Sequence, residues 1–415
     1  MVIIVGTGAG GAIIAMKLSQ HNIPVTIIEK GPYINSKDAF EYYDQKYYSK
    51  RTKNEESIDL LKTTCIGGST IVAAGNGVRV LEKEFQELGI DLTKEYETIE
   101  KLLNIHQMND THIGEGTKKF LESSKELGFQ TMKMPKFIEE NKCIKCGKCS
   151  FGCPQDAKWS GKDFIDKAIE NGAELITNAE VKKIIIKNKE LKGLEYTQNN
   201  QTKTINSNEI ILTAGAIDTS IILQNSGIDA GNKLFFDPFV SVGGILKNIN
   251  FNTEVQMNAL TIGNEYILAP HFSSLIPQYI KEQYPTIEDK DIFSIMVKIP
   301  DDMVGTVDKE GNVKKFNTID DIRRISQGTA AAGGILEKIG VDPTTITSTV
   351  FRGAHPGGTA AIGDVVNTNL ETKIKGLYIS DASVIPISPG KPPILLILAL
   401  ALRLANNIIQ KKSKN

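Results

Sequence analysis

Cysteine is scarce in this sequence, with five among 415 residues, too few for the stapled scaffold of a small secreted domain. Neither charge sign dominates. With 48 basic against 49 acidic residues the net charge is −1, which argues against nucleic acid or an anionic membrane surface as the main partner. Long hydrophobic runs are missing too. The longest, residues 392–402, is too short to cross a bilayer and ends at Arg403, so no membrane insertion is expected. The 36 glycines keep no three-residue period, which excludes a fibrous chain. The opening Met1-Val2-Ile3-Ile4-Val5-Gly6 has no basic region and no small-residue cleavage site, and the expected compartment is the cytoplasm. What remains is globular composition, 40% hydrophobic and 23% charged, with length for two or three domains.

The first thirty residues carry the clearest local pattern. Residues 2–5 read as a short buried strand, followed by Gly6-Thr7-Gly8-Ala9-Gly10-Gly11 and a helix from Ala12 to about His21. A second strand over residues 24–28 ends in Glu29. This βαβ unit of about 30 residues has the length a dinucleotide fingerprint requires. Gly6 permits the tight turn, Gly8 lets the backbone approach a pyrophosphate, and Gly11 allows close helix–strand packing. The helix N-terminus offers free N–H groups and a positive dipole end to the diphosphate. Glu29 is placed to accept hydrogen bonds from an adenosine ribose.

Further along, Cys65-Ile66-Gly67-Gly68-Ser69-Thr70 makes a second glycine turn, and residues 81–128 carry charged helical patterns. A helix over 162–171, strands within 175–196 and an apolar strand over 209–213 follow. From about 236 to 350 the texture turns to short irregular runs with scattered Gly, Pro and Asp, which suits a separate antiparallel domain. A buried strand over 376–380 and a closing helix over 393–410 end the chain.

Four of the five cysteines fall in one run, Cys143-x2-Cys146-x2-Cys149-x3-Cys153-Pro154, the spacing of a ferredoxin-type iron–sulfur loop. Short gaps let one loop wrap a cubane while its N–H groups point at the sulfurs. Zinc normally takes two separated pairs, and a purely structural cysteine loop is the remaining alternative. The reading favoured is a 4Fe-4S cluster on all four local cysteines. Cys65 as a remote fourth ligand, or a 3Fe-4S cluster on three, stays open. Lys142, Lys145, Lys148 and Lys158 surround the run against a single Asp156. They form either a solvated basic face or a docking patch for an acidic electron carrier such as a ferredoxin.

The ordered set of motifs resembles the glucose–methanol–choline (GMC) family of FAD oxidoreductases. The match is built from Gly6–Gly11 with Glu29, Gly67-Gly68-Ser69-Thr70 with Arg79, the segment from Cys146 to Pro154, and Ile211-Leu212-Thr213-Ala214-Gly215-Ala216. It continues through His355-Pro356-Gly357-Gly358-Thr359 and Gly376-Leu377-Tyr378-Ile379-Ser380-Asp381-Ala382-Ser383. Roughly residues 1–30, 63–80, 141–228 and 350–410 are covered. The cysteine segment and the Gly67–Arg79 stretch look most like the dehydrogenase branch that oxidises sugars, sugar acids and long-chain alcohols.

The resemblance implies an α/β fold (α+β overall). A Rossmann-like FAD-binding domain, discontinuous over 1–235 and 350–415, would contain the cysteine loop at 141–160. A mostly antiparallel substrate-binding domain would occupy 236–349. Gly6, Gly8, Gly11 and Glu29 would hold the ADP half of FAD. Gly68, Ser69 and Asn76 would lie along the diphosphate and flavin, the Val181 backbone at the adenine, and Asp381 and Ala382 at the ribityl region. Pro392 and Pro393 would aim the closing helix at the flavin. His355 matches the family's catalytic histidine, which removes the alcohol proton as hydride moves to flavin N5. Where the family has a second active-site Asn or His, this chain has Lys391-Pro392, and Lys391 becomes a candidate for an anionic substrate group or reduced flavin.

The function implied is FAD-dependent oxidation of a CH–OH group on a small alcohol or sugar-like substrate. Electrons would pass through the cluster to ferredoxin or a partner redox subunit. A reductase of C=C or C=O bonds and a non-catalytic electron-transfer subunit are the alternatives.

Overall fold

The structure, a computed structural model, describes residues 1–41, 48–51 and 59–414. One layer is a five-stranded, all-parallel sheet in the spatial order Leu377–Ile379, Ile210–Leu212, Val2–Val5, Val25–Ile28, Glu174–Ile176. Its central strands are continuous apolar runs because both faces are covered. Helix Ala9–Gln20 packs against helix Gly161–Glu170 and against the closing helix Ile394–Ser413. The closing helix is long and apolar enough to span a bilayer by length and composition, yet 56% of its apolar window is buried within the protein. It behaves as a core helix.

The family of ligand positions follows from this sheet. Gly6, Glu29, Thr213 and Ser380 each stand directly after the last residue of a parallel strand. Parallel α/β sheets bind ligands at that carboxyl edge.

The second large layer is a mostly antiparallel sheet. Its spine pairs Pro238–Ile245 with Ile292–Lys298, then Ile267–Pro270, Ala259–Ile262 and Gln130–Lys133. On the other side Pro238–Ile245 meets Arg352–Gly353, which runs parallel to Asp59–Thr63. Strands from outside residues 236–349 therefore complete this sheet. A three-stranded antiparallel ribbon, residues 179–206, carries Val181.

Two local expectations shift. The first helix begins at Ala9 rather than Ala12, so Gly10 and Gly11 lie inside it. The stretch read as irregular, 236–350, contains two long buried strands and a 21-residue helix, Ile319–Ile339. That helix starts on a capping box, in which Thr318 accepts from the Asp321 N–H, and ends on Gly340 at φ +97°. Both are strong boundary signals.

Candidate active site

The glycine loop after the first strand is built for close approach. Gly6 sits at φ +103°, and a Cβ there would lie 2.4 Å from the Thr213 carbonyl oxygen. A Cβ on Gly11 would lie 2.1 Å from the Gly6 carbonyl oxygen, so this glycine serves helix–strand packing. Gly8 differs, because nothing lies within 4 Å of its missing Cβ. It caps the helix without any side-chain partner and faces a cavity of about 590 Å³. The second turn abuts the first, with a Gly68 Cβ 3.2 Å from the Gly8 Cα.

Gly6, Gly8, Glu29, Gly68, Ser69, Asn76, Val181, Asp381, Ala382, Pro392, Pro393 and His355 all line this one cavity. Gly11 lies behind it. Glu29 is buried and accepts from the Thr7 hydroxyl at 2.6 Å, the Thr7 N–H and the Gly31 N–H. Burial raises its pKa against those hydrogen bonds. The Asp381 carboxylate accepts from the Gly215 and Ser383 N–H groups and the Thr219 hydroxyl, which pins the strand end to helix Gly215–Asn225.

His355 enters the cavity from the loop after Arg352–Gly353. Its Nδ1 lies 3.1 Å from the Asp237 carboxylate. A carboxylate accepts only, so Nδ1 carries the proton and Nε2 keeps its lone pair. Asp237 is fully buried and also accepts from the Ser388 hydroxyl and the Gly390 N–H. Lys298 Nζ lies 3.4 Å from the same Nδ1 and donates to the Asp237 carbonyl oxygen at 2.7 Å. Burial, then the Lys298 charge, pushes the His355 pKa down to about 4 against the pull of Asp237. The imidazole is thus neutral at neutral pH.

Lys391 is not brought to His355. Ser388 and Gly390, the latter at φ +60°, anchor the preceding segment on Asp237. The chain then turns Lys391 into a different cavity beside Arg79, Glu100 and His106. The cation beside His355 is Lys298, which the sequence reading missed along with Asp237, His271 and Arg352.

Cys143, Cys146, Cys149 and Cys153 line one small cavity of their own. The N–H groups of Lys145 and Gln256 donate to Cys143 and Cys149, and the Ala157 N–H lies 3.3 Å from Cys153 Sγ. Among the described residues no three His, Cys, Asp or Glu side chains come close enough to hold a single metal ion. Cys65 is fully buried elsewhere, among Ile34, Ala39 and Ile71. Lys158 corrects the basic-face reading. It is buried and donates to the Thr70 and Ile71 carbonyls, while Lys142, Lys145 and Lys148 are exposed.

A parallel sheet with a glycine-rich turn at its carboxyl edge, sharing one cavity with a large antiparallel sheet and a carboxylate-oriented histidine, is a frame for a dinucleotide cofactor beside a base. The family model described as GMC oxidoreductase matches residues 3–253 with its N-terminal part and residues 304–401 with its C-terminal part. The chain belongs to the GMC oxidoreductase family. It is an FAD-dependent oxidoreductase of CH–OH groups.

A relative described as uncharacterized protein MJ1450 of Methanocaldococcus jannaschii is 32% identical over 98% of this chain and 99% of its own. Pyridoxine 4-oxidase from Mesorbium loti superposes with TM-score 0.76 at 16% identity, covering 98% of each chain. A formate oxidase variant of Aspergillus oryzae RIB40, described for its FAD modification, gives TM-score 0.78 at 15% identity over 100% of this chain and 98% of that one.

Proposed function

We propose that this chain oxidises a small alcohol with His355 as the base, and that its physiological electron acceptor is a protein. The observation that carries the first part is the His355–Asp237 contact inside the glycine-lined cavity. FAD, when bound, supplies the two-electron acceptor for the carbinol hydride. The open space over Gly8, the uncapped helix N-terminus and the single cavity joining Glu29 to His355 fit that cofactor. Asp237 holds the imidazole in one tautomer, so Nε2 is free to take the hydroxyl proton. Lys298 keeps the ring neutral before it does so. The closing-helix N-terminus at Pro392 and Pro393 stabilises negative charge developing at that end.

The second part rests on the cysteine cavity. Four thiols around a shared space, with N–H donors aimed at sulfur, fit a cluster better than a single ion. Burial raises the Cys149 pKa, and Lys136 is the largest opposing influence, so buried cations stand ready to balance thiolate charge. A 4Fe-4S cluster on Cys143, Cys146, Cys149 and Cys153 would supply a one-electron outlet to ferredoxin or a partner redox subunit, in the cytoplasm.

An anaerobic alcohol screen that follows flavin absorbance tests the first part. A reactive donor should bleach the flavin, and His355→Ala should slow bleaching by about 10²–10⁴-fold, the usual contribution of a positioned base. Unchanged bleaching in the variant overturns the role of His355. Iron and sulfide analysis with electron paramagnetic resonance tests the second part; anaerobically prepared protein free of both sinks it.

A further inference from the structure

The wall of the cavity opposite the FAD-binding edge is the large antiparallel sheet, and it carries cations. Phe239 stands opposite Lys298 on one neighbouring strand and opposite Arg352 on the other. Residues directly opposite on adjacent strands share a face, so all three side chains point together, and all three line the cavity. Lys298 Nζ lies 5.1 Å and the Arg352 guanidinium 4.9 Å from the Phe239 ring centroid. Lys298 is 2% exposed and Arg352 8%.

Beside this row sits His271, whose Nδ1 is buried with no hydrogen-bond partner among the described residues. Burial, followed by the charges of Arg352, Lys136 and Lys298, holds its pKa down at about 3. His271, Lys298 and Arg352 line the same cavity, so two cations and an unpartnered imidazole nitrogen share one wall. Among the described residues Lys298 makes no ion pair; its contacts are a backbone carbonyl and His355. A buried cation without a carboxylate in contact is costly. The Asp and Glu residues that line the cavity stand elsewhere: Glu29 and Asp381 follow parallel strands, Asp218 is on helix Gly215–Asn225, Glu180 is on the three-stranded ribbon and Glu310 is in the turn between Val307 and Val313. An anion entering with the substrate would give Lys298 a counter-charge, with Arg352 beside it on the same face of the cavity.

We propose that the substrate is an alcohol bearing an anionic group, a carboxylate or a phosphate monoester, held by Lys298 and Arg352 with its carbinol presented to His355. This rests on the reading that the cavity oxidises a CH–OH group, and adds what selects the donor. A charge-assisted, two-point grip of this kind is the usual means of orienting such groups.

The test uses the flavin-loaded full chain. Oxalate, which has no carbinol hydrogen, and inorganic phosphate are titrated while the flavin difference spectrum is recorded, with ethylene glycol as the neutral control. At least one anion should bind, with ethylene glycol silent. Its Kd should rise at least tenfold in Lys298→Met and in Arg352→Met, with Lys298→Arg and Arg352→Lys retaining most of the affinity. Tighter oxalate than phosphate assigns the carboxylate class; the reverse assigns the phosphate class.

No anion binding by the unaltered protein, or equal affinity in the charge-removing variants, overturns the proposal. Should those variants lose flavin, the charge-keeping pair and the unaltered protein decide. Anaerobic reduction by lactate should then exceed that by 1,2-propanediol at least tenfold, and equal rates count against the proposal. If neither reduces the flavin, the oxidation reading fails for these donors and anion binding alone decides this one.

Discussion

Burial pulls His355 and Lys298 toward their neutral forms, but their useful forms differ. His355 works as a base, and its pKa is pushed down from 6.5 to about 4. Flavin reduction by a substrate should therefore be flat across neutral pH and fall about tenfold per unit below about pH 4. Lys298 works as a cation, and its pKa is pushed down from 10.5 to about 8. The groups facing it are Asp237 and Asp301, which hold it up, His355, and Arg352 beyond the Phe239 ring. Binding of an anionic donor should weaken as pH rises through about 8, because the ammonium is lost. Lys298→Met should abolish that upper limb and move the lower one to higher pH, because the charge that helps hold the His355 pKa down is gone. Stopped-flow reduction across pH measures both limbs, and a variant that keeps the upper limb removes Lys298 as its cause.

At the scale of elements, the glycines of the first loop separate packing from binding. Gly11 has a carbonyl oxygen where its Cβ would go, and Gly8 has open cavity. Gly11→Ala should lower apoprotein stability by about 1–3 kcal/mol or more, as overpacking does. Gly8→Ala should leave the thermal midpoint of the apoprotein nearly unchanged yet lower flavin occupancy. Calorimetry with flavin quantitation checks this, and a Gly8→Ala apoprotein as unstable as Gly11→Ala would contradict the division. This loop was legible in the sequence because strand, turn and helix are contiguous. The helix Ile319–Ile339 was not read, because Gly328, Gly333 and Gly334 dilute its periodicity and lower its intrinsic propensity; its Thr318–Asp321 box and Gly340 were the signals available. Lys298, Phe239 and Arg352 become neighbours only through strand pairing across more than fifty residues, a register that local pattern does not encode. Lys391 was chosen by position before the closing helix, and the anchoring of Ser388 and Gly390 on Asp237 was invisible without the fold.

Over the whole molecule, the turn at residues 68–76 is a partition. Its inner side, with Gly68, Ser69 and Asn76, lines the FAD cavity. The same turn is bonded to two buried lysines, Lys136 through the Ala74 carbonyl and the Asn76 side chain, and Lys158 through the Thr70 and Ile71 carbonyls. Lys158 also lines the cysteine cavity. Ile144, Lys145 and Lys148 line it too; Lys142, Lys145 and Lys148 are exposed, and Ile144 is 59% exposed. An exposed apolar residue among lysines, one of them paired with Glu139, would suit the acidic partner proposed above, since complementary charge steers encounter and the apolar contact holds it. On the proposed reading, electrons would pass from substrate to flavin, to the thiol cavity and then to the surface. If an acidic ferredoxin docks there, its reduction should slow as salt rises, because exposed charges more than about 8 Å apart are screened at physiological ionic strength. The double variant Lys142→Glu, Lys148→Glu should slow carrier reduction at least tenfold while substrate-driven flavin bleaching and iron content stay at their original values. Carrier reduction that ignores both salt and charge reversal would move the docking surface elsewhere on the protein.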